Sequence, residues 1–430
     1  MKRKALIIYY FVLTRWGLRF RSARALQRHQ DRQLVRLTNF LREHSSYFRA
    51  WGETLSAQRF AEWPYMNKAI LMDNFNQINT VKLREEQVLQ IAIDAEKTRN
   101  FMTTIDSVTV GLSSGTSGHR GIFVATEREQ AMWSGTVLAR FLPRAFWRKQ
   151  RIAFFLRANS NLYESVRSRT ISFKYFDIYK DMHSHIAHLN SYRPTILVAP
   201  PSILMVLANA KLEGKLQCNF QKIISVAEVL ELSDNRLFCD VFEKPFIYQA
   251  YQCTEGFLAA TCEMGKMHLN EEFVIVEREY IDNTKRFIPI ITDVYRRSEP
   301  IVRYRLNDIL IESSEPCDCG RVTTVIERIE GREDDTFLCR NRQGEMIPVY
   351  ADMIGRCMLY ASGFKEYRVV QTSDKTVTIY IDVISRVTKQ SIIAEFQRLF
   401  DGLSCDMPTL RFRKYIYNPA KKLKRIEREM

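Results

Sequence analysis

The sequence predicts an α/β protein in which a large layered α/β domain is followed by a small α+β domain. Three observations support this prediction. The chain has 430 residues, enough for one large hydrophobic core and a second, smaller one. From about residue 105, short β-rich runs alternate with helical stretches, which is typical of α/β layering. After Asp335, valine-rich runs replace this alternation and indicate a second domain.

The first hundred residues are expected to be mostly helical. Residues 20–100 form long charged and apolar segments that contain few glycines and prolines. We therefore assign residues 1–100 to a helical first part of the large domain. Residues 101–335 form its core, and residues 336–430 form a small, mobile C-terminal domain.

The opening segment allows two interpretations. An apolar run at residues 5–13 follows Lys2, Arg3 and Lys4, and several arginines come after it. The run is too short to span a bilayer, and no small-residue cleavage site follows it. We interpret it as a helix that packs on the body of the protein. A weak amphipathic contact with a membrane surface is the alternative.

Within the core, short apolar runs are predicted to be strands. The run at 108–112 leads into a glycine-rich segment, and residues 126–140 form the helix after that segment. Further strands are predicted at residues 151–156, 195–199, 222–226 and 246–250.

The small domain is predicted from a similar pattern. Strands are expected around 368–370 and at 376–383 and 409–417, with a helix at 391–403. The boundary is expected at 331–336, where a glycine and clustered charges suit a hinge.

Charge and cysteine content limit the class of protein. The net charge is +15, yet the basic residues are scattered, and no helix-turn-helix, zinc-finger or aromatic-basic RNA motif is present. We expect no nucleic-acid partner, because an enzyme with a phosphate-bearing substrate also tolerates a basic surface. The nine cysteines are an odd number without a secretory signal, which indicates a reduced, cytoplasmic protein.

The segment at residues 111–121, GLSSGTSGHRG, is rich in glycine and hydroxyl side chains. Glycine lets backbone N–H groups approach an anion, and several such groups form a nest to which hydroxyls add donors. The pattern is not a Walker loop, because the sequence G-x-x-x-x-G-K-[ST] is absent. By itself the segment is equally well a flexible surface turn or a site for a phosphate chain.

Four more motifs follow in order: YQCTEG at 251–256, RYRLND at 303–308, GREDD at 331–335 and KKLKR at 421–425. This series resembles the adenylate-forming superfamily of acyl-CoA synthetases and adenylation domains. The nearest branch resembles phenylacetate-CoA ligase, coenzyme F390 synthetase and F390 synthetase-related adenylate-forming enzymes. The resemblance begins near residue 40 and runs to the C-terminus. It implies an acyl-CoA synthetase-like fold in which ATP and Mg²⁺ activate a carboxylic acid.

The resemblance assigns the phosphates of ATP to the glycine-rich segment, through N–H groups and hydroxyls. The family usually ends this loop with a lysine, or a threonine after proline, whereas this chain has His119-Arg120-Gly121. Arg120 would then supply the cation, with a geometry different from that of lysine. The residues so assigned are Ser113, Ser114, Gly115, Thr116, Ser117, Gly118 and Arg120.

Thr254 and Glu255 match the family's threonine at the α-phosphate and its glutamate that holds Mg²⁺. Mg²⁺ accepts one or two carboxylates together with phosphate oxygens. An isolated Thr-Glu pair is also typical of a helix N-cap, an alternative that is compatible with the first assignment, because an anion is favoured at a helix start.

The resemblance also assigns the nucleoside. Asp308 would bind the ribose, because one carboxylate accepts from both vicinal hydroxyls, although Asn307 stands where the family has glycine. Arg332 would reach toward ribose and phosphate, and Asp335 would be the hinge. The adenine and acyl pocket would be lined by Ala227, Glu228 and Tyr251.

The catalytic lysine of the family matches Lys422, with Lys421 at the usual glycine position. This lysine would stabilise charge that develops between the carboxylate and the α-phosphate. A frayed basic tail is the alternative.

A zinc site is expected from Cys262, His268, Cys317 and Cys319, since Zn²⁺ accepts a tetrahedral Cys₃His set. Related phenylacetate-ligase-like proteins carry a similar pattern, which implies a structural site. The alternative is a reduced Cys-x-Cys turn beside a lone buried cysteine.

The expected activity is adenylation of an aryl or acyl acid, followed by transfer to a thiol of CoA or an acyl carrier protein. Two alternatives stay open: adenylyl transfer to a hydroxyl, as in F390 synthetase, and nucleotide binding without catalysis. An aromatic-amide cluster at residues 154–163 is either the acid pocket or plain core.

Overall fold

A computed structural model describes residues 2–112, 121–143, 147–416, 418 and 423–429. The chain forms two compact units. The first unit comprises residues 1–306 and 312–327, and the second comprises residues 307–311 and 328–430. Each unit has its own hydrophobic core.

The first unit begins with helices, as the sequence predicts. The longest of them starts after Ser22, whose hydroxyl accepts a hydrogen bond from the Ala25 amide at 3.3 Å and so caps the helix. Its buried side includes Leu34, Leu37 and Leu41, at the spacing of one helical face. The helices are α1 (Lys2–Val12), α2 (Ala23–His44), α3 (Ser46–Arg49), α4 (Lys68–Asp73), α5 (Phe75–Ile78) and α6 (Glu85–Thr98).

A small antiparallel sheet follows, made of β1 (Thr104–Ile105), β2 (Val108–Leu112) and β3 (Ile122–Ala125). Leu112 pairs with Ile122, so the glycine-rich segment joins two adjacent antiparallel strands. Residues 113–120, to which the phosphate contacts were assigned, lie outside the described residues.

The main sheet begins with five parallel strands in the order β5-β4-β6-β7-β8. Their apolar runs are buried by helices, and Phe155 and Phe154 belong to two different core clusters. The strand order reverses between β4 and β6, and α/β sheets bind ligands at such a point, outside the carboxyl ends of the strands. The elements are α7 (Glu127–Phe141), β4 (Gln150–Leu156), α8 (Asn161–Glu164), β5 (Ile171–Asp177), α9 (Met182–Tyr192), β6 (Ile196–Ala199), α10 (Pro201–Leu212), β7 (Lys222–Val226), α11 (Leu232–Phe242) and β8 (Tyr248–Cys253).

Antiparallel strands extend this sheet, and the sequence did not predict them. Strand β8 pairs with β9 (Gly256–Thr261), which pairs with β10 (Met267–Leu269). A second run pairs β11 (Val274–Tyr280), β12 (Arg286–Asp293) and β13 (Tyr304–Arg305). Strands β14 (Asp308–Glu312) and β15 (Val325–Arg332) are neighbours, and β15 starts beside β10.

The second unit is a small α+β layer. A four-stranded sheet in the order β20-β19-β18-β21 packs against two helices, with Ile379, Phe396 and Phe400 fully buried. The predicted helix at 391–403 starts earlier, because the Ser385 hydroxyl caps it by accepting from the Thr388 amide at 3.0 Å. The elements are β16 (Phe337–Arg340), β17 (Met346–Val349), α12 (Ala351–Tyr360), β18 (Tyr367–Ser373), β19 (Thr376–Ile381), α13 (Arg386–Gly402), β20 (Thr409–Lys414) and β21 (Ile426–Arg428).

Helix α1 packs directly on helix α7, as predicted for the opening segment. The contact requires Gly135, because a Cβ atom there would lie 2.6 Å from the Ile7 carbonyl oxygen and 2.7 Å from the Tyr10 Cβ. Among the described residues, no helix combines the length and apolar composition needed to cross a bilayer.

We predict that Gly135→Ala loosens α1. Overpacking of this kind costs about 1–3 kcal/mol, so amides in α1 should exchange hydrogen faster. Hydrogen exchange read by mass spectrometry measures the effect. Gly402→Ala is the matched control, since nothing lies within 4 Å of an added Cβ at Gly402. Unchanged exchange in α1 would contradict the packing.

Candidate functional site

Thr254 and Glu255 form the tip of the hairpin between β8 and β9. Cys253 pairs with Gly256, so these two residues are the whole connection. The helix N-cap alternative is wrong, because a strand begins at Gly256 instead of a helix. The hairpin presents both side chains at the carboxyl end of β8, beside the ends of the parallel strands.

A buried cation holds this tip. The Arg296 side chain is largely buried, and its Nη1 atom donates to the Thr254 carbonyl oxygen at 2.8 Å. Its Nη2 atom forms an ion pair with Glu299. Burial by itself would lower the pKa of Arg296, but the carboxylates around it raise that pKa above its usual value. Those carboxylates belong to Glu299, Glu129, Asp293 and Glu255.

Glu299 extends the network to the strand after the glycine-rich segment. Its side chain is only 1% exposed, and its Oε2 atom accepts from the Val124 amide at 3.4 Å. Burial raises the pKa of Glu299 to about 7, and the nearby carboxylate of Glu255 adds to the effect. Its Oε1 atom is buried without a hydrogen-bond partner among the described residues. Buried polar atoms are usually bonded, so this oxygen is a point to which a donor would be attracted.

Glu129 fastens the same loop to helix α7. One carboxylate oxygen accepts from the amides of Arg297 and Ser298 at 2.7 and 2.8 Å. The other accepts from the amide and hydroxyl of Thr126, at the start of the helix, at 2.8 and 2.7 Å. Although burial opposes it, these hydrogen bonds lower the pKa of Glu129, which therefore remains a carboxylate. Loop 296–299, the start of α7 and β3 thus form one bonded assembly.

Tyr304, from the predicted RYRLND motif, lies next to Glu255. Burial raises the pKa of the Tyr304 phenol, and a hydrogen bond and the charge of Glu255 raise it further. The phenol is therefore neutral and able to donate. Tyr304 of this motif and the hairpin tip therefore meet within the first unit.

Ala227 and Glu228 lie at the carboxyl end of β7. Ala227 has a φ of +68°, a left-handed conformation that is strained for a residue with a Cβ and is common near binding sites. The Glu228 carboxylate accepts from the Ser202 amide at 3.1 Å and lies 3.2 Å from the Arg157 guanidinium, at the end of β4. The arginine of the aromatic-amide segment therefore meets Glu228 near the reversal of strand order.

The aromatic side chains of that segment lie in the core. Phe155 is fully buried on one side of the sheet, and Phe154 packs on Tyr163 on the other. Burial raises the pKa of Tyr163 to about 12. Tyr251 is buried in β8, and the next residue, Gln252, accepts from the Trp133 indole at 2.9 Å.

The second unit contains the ribose candidates. Asp308 begins β14, and its Oδ1 atom lies 3.4 Å from Nε of Arg332 at the end of β15, so the two assigned residues are adjacent. The predicted hinge residue Asp335 is buried and pairs with Lys424, whose Nζ lies 2.9 Å from its Oδ1. Lys422, the predicted catalytic lysine, lies outside the described residues, as does Lys421.

The four predicted zinc ligands converge. The metal-binding atoms of Cys262, His268, Cys317 and Cys319 all lie within 4.8 Å of one another. The Cys262 and Cys317 sulfurs are 3.6 Å apart, and the Cys319 sulfur is 3.4 Å from the His268 Nε2 atom. Two sulfurs bound to one tetrahedral zinc ion lie about 3.8 Å apart, from Zn–S bonds of about 2.3 Å. The spacing therefore fits a single ion.

The surroundings of His268 prepare it as a metal ligand. Its Nδ1–H donates to the Thr323 carbonyl oxygen at 3.2 Å, which leaves the lone pair on Nε2 facing Cys319. Burial lowers the pKa of His268 to about 4, with Arg321 adding to the effect, so the imidazole is neutral. Burial also raises the pKa of the Cys319 thiol to about 12, so a cation is needed to hold it as a thiolate.

Sequence reasoning missed Arg296, Glu299 and Glu129. A signal for Glu129 was present, since Thr126 and Glu129 form a capping box with the spacing T-x-x-E. Nothing in the sequence linked it to Arg296, because that link depends on a fold that brings residues 129 and 297 together.

Solved structures share this fold. A 2-hydroxyisobutyryl-CoA ligase in the postadenylation state, in complex with R3-HIB-AMP, matches with a TM-score of 0.68 and 16% identity over 93% of this chain and 88% of that chain. AtGH3.15 acyl acid amido synthetase, in complex with 2,4-DB, matches with a TM-score of 0.60 and 12% identity. The match covers 94% of this chain and 85% of that chain. The anthranilate CoA ligase AuaEII, in complex with anthranoyl-AMP, matches with a TM-score of 0.50 and 12% identity. The match covers 73% of this chain and 66% of that chain.

No protein-family model and no curated protein sequence matches the chain. The structural matches confirm the predicted fold class, a large α/β part with an acyl-CoA synthetase-like arrangement. The phenylacetate-ligase and F390-synthetase branch stays a prediction. The chain has the fold of adenylate-forming CoA ligases.

Proposed function

We propose that this protein activates a carboxylic acid with ATP, giving an acyl adenylate and pyrophosphate, and then passes the acyl group to a thiol. The observation that carries the proposal is the Arg296 network. It binds the Thr254–Glu255 tip, through Glu299, to the strand that leaves the glycine-rich segment. To bind a phosphate chain and its metal ion together, the glycine-rich segment and the Thr254–Glu255 tip must lie close to each other. The fold match to the 2-hydroxyisobutyryl-CoA ligase, over 93% of this chain, supports the same activity.

The assigned residues divide the work. The glycine-rich segment, with Ser114, Thr116 and Ser117, would bind the β- and γ-phosphates. Glu255 would hold Mg²⁺, which neutralises phosphate charge when bound. Tyr304 donates to Glu255 and keeps the carboxylate oriented. Asp308 would accept from the ribose hydroxyls, and the adjacent Arg332 would face the phosphates.

For the second step we propose CoA as acceptor, with the phosphopantetheine of a carrier protein as the alternative thiol. A structure of the 2-hydroxyisobutyryl-CoA ligase in complex with 2-HIB-AMP and CoA also matches this chain, with a TM-score of 0.57. On its motifs, we propose that the chain lies nearest the phenylacetate-ligase branch. On its odd number of cysteines, we propose that it works in the reduced cytoplasm.

Zinc is proposed as a structural ion at Cys262, His268, Cys317 and Cys319. All four ligand positions are filled by protein atoms, which leaves no open position for substrate. The ion would join the turn after β9 to the turn before β15, and it would take no part in the reaction.

ATP–pyrophosphate exchange with a panel of aryl and acyl acids tests the activity. Acid-dependent exchange is expected, with free AMP released only when a thiol is supplied. AMP that becomes attached to a hydroxyl acceptor would show F390-type transfer instead. Intact ATP binding without exchange for any acid would show a non-catalytic nucleotide-binding protein.

We predict that Glu255→Gln lowers the rate of ATP–pyrophosphate exchange at least ~10-fold. Loss of a group that only supports a metal ligand already lowers metal affinity or activity about 10- to 100-fold, and Glu255 would be a ligand itself. Exchange at several Mg²⁺ concentrations measures it, and excess Mg²⁺ should restore part of the rate. The control is Glu213→Gln, a carboxylate in an exposed ion pair with Lys215. A variant with wild-type dependence on Mg²⁺ would contradict the role of Glu255.

Lys422→Ala is expected to lower adenylation by about 10²- to 10³-fold, since the lysine would stabilise charge in the transition state. Transfer from preformed acyl adenylate to the thiol should change little. Lys421→Ala is the matched control and should keep exchange near wild type. If Lys421→Ala or Lys424→Ala abolishes exchange and Lys422→Ala does not, the assignment is wrong.

Purified protein should contain about one zinc ion per chain, measured by plasma mass spectrometry. Cys319→Ser should lose the ion and melt at least ~4 °C lower, which corresponds to about 3 kcal/mol at the unfolding entropy of a unit of this size. Cys239→Ser, at a half-buried cysteine outside the cluster, is the control and should keep the ion. Metal-free wild-type protein in which Cys262 and Cys317 react rapidly with thiol reagents would refute the site.

A further inference from the structure

Helix α1 and the turn after it carry apolar side chains on two opposite faces. The inner face includes Tyr10 and Thr14, which are 3% exposed against α7. The outer face follows the helical spacing 5, 8, 9, 12 and 16. Its large members are exposed: Ile8 by 63%, Tyr9 by 56%, Val12 by 47% and Trp16 by 54%. A helix that is apolar all round is normally buried on every side, so an occupant is expected on the outer face.

The outer face is fixed in its direction. The close approach at Gly135 sets the distance of α1 from α7. Hydrogen bonds hold both ends: Arg3 donates to Gln130 at 2.9 Å, and Arg15 donates to the Leu142 carbonyl at 3.3 Å. Rotating the helix to bury Ile8 and Val12 would break these contacts. The exposed stripe is therefore a stable property of the surface.

The segment that carries this stripe has charges of one sign in its own sequence, and its Arg19 forms an ion pair with Glu263 at 3.7 Å. Residues 1–30 contain eight lysines and arginines and no acidic residue, and the first carboxylate is that of Asp31. Lys4, Arg21, Arg24 and Arg28 are exposed. An apolar stripe with tyrosine and tryptophan, bordered by cations, is the composition of helices that lie in the interface of an anionic membrane.

We propose that the outer face of α1 rests on a membrane surface that contains anionic lipid. The apolar side chains would enter the headgroup boundary, and the basic residues would lie against lipid phosphates. A second copy of the chain fits this face poorly, because a symmetric contact would bring the exposed cations of one copy, at Lys4, Arg21, Arg24 and Arg28, against those of the other. The contact is peripheral, and it is independent of the catalytic proposal.

Vesicle flotation tests the proposal with the full-length protein. Phosphatidylcholine vesicles that contain phosphatidylglycerol should bind the protein at low salt, and pure phosphatidylcholine vesicles should bind it far less. Raising the salt concentration should weaken binding, because it screens the lipid charge. Absence of binding to the anionic vesicles at low salt would overturn the proposal.

Two sets of variants separate the apolar and electrostatic parts. Ile8→Ser with Val12→Ser should lower the partition coefficient at least ~10-fold, about 1.4 kcal/mol. The control pair is Leu212→Ser with Val387→Ser, two side chains of similar exposure elsewhere, at 67% and 71%. Substituting glutamine for Lys4, Arg21 and Arg24 together should lower binding to anionic vesicles at least ~10-fold.

All these side chains are exposed, so melting temperatures and pyrophosphate exchange should stay at the wild-type level. Equal vesicle binding by the Ile8/Val12 variant and its control would overturn the proposal. So would a dimer in sedimentation experiments that Ile8→Ser with Val12→Ser converts to a monomer, because a second copy would then cover the stripe.

Discussion

The candidate site in the first unit depends on one buried cation. Arg296 lies among four carboxylates, and no apolar side chain could replace it without leaving several negative charges together in a buried place. Its two guanidinium nitrogens face different elements, Thr254 at the hairpin tip and Glu299 beside β3. A planar guanidinium suits this task, whereas a lysine would meet one partner as a point charge. The hairpin tip and the strand after the glycine-rich segment therefore keep a fixed relation without a ligand.

Parts of this arrangement could be predicted from the sequence, because their signals are local. The strand at 222–226 is found as predicted, since a run of apolar β-formers in a parallel sheet is buried on both faces. The predicted strand at 246–250 lies two to three residues later in the fold, at Tyr248–Cys253, because pairing with β9 sets its end. In the antiparallel extension, β10 was missed because three residues are too few to show a periodicity, whereas β11 and β12, with seven and eight residues, carry apolar runs that sequence reasoning overlooked.

In the candidate sites, too, residues with a local sequence signal could be predicted, and residues that only the fold brings together could not. Cys262, His268, Cys317 and Cys319 could be selected from sequence because thiol and imidazole groups at such spacings have few other uses, and the fold brings them together. Arg296 could not be selected, because this chain has many arginines and only the buried contacts distinguish this one. The Thr254–Glu255 pair was also compatible with a helix start, and only the register of β8 and β9 shows that the pair forms a hairpin tip.

Helix α7 connects the site with the proposed membrane face. Its first turn carries Glu129, which holds the loop of Arg296. Gln130, at the end of the same turn, and Gly135, in the third turn, hold α1. The two demands fall on different residues, so one helix meets both. A glycine inside a helix costs about 1 kcal/mol relative to alanine. We infer that the packing of α1 against Gly135 offsets this loss of helix stability. The same packing fixes the orientation of α1 and keeps its exposed apolar stripe on the surface.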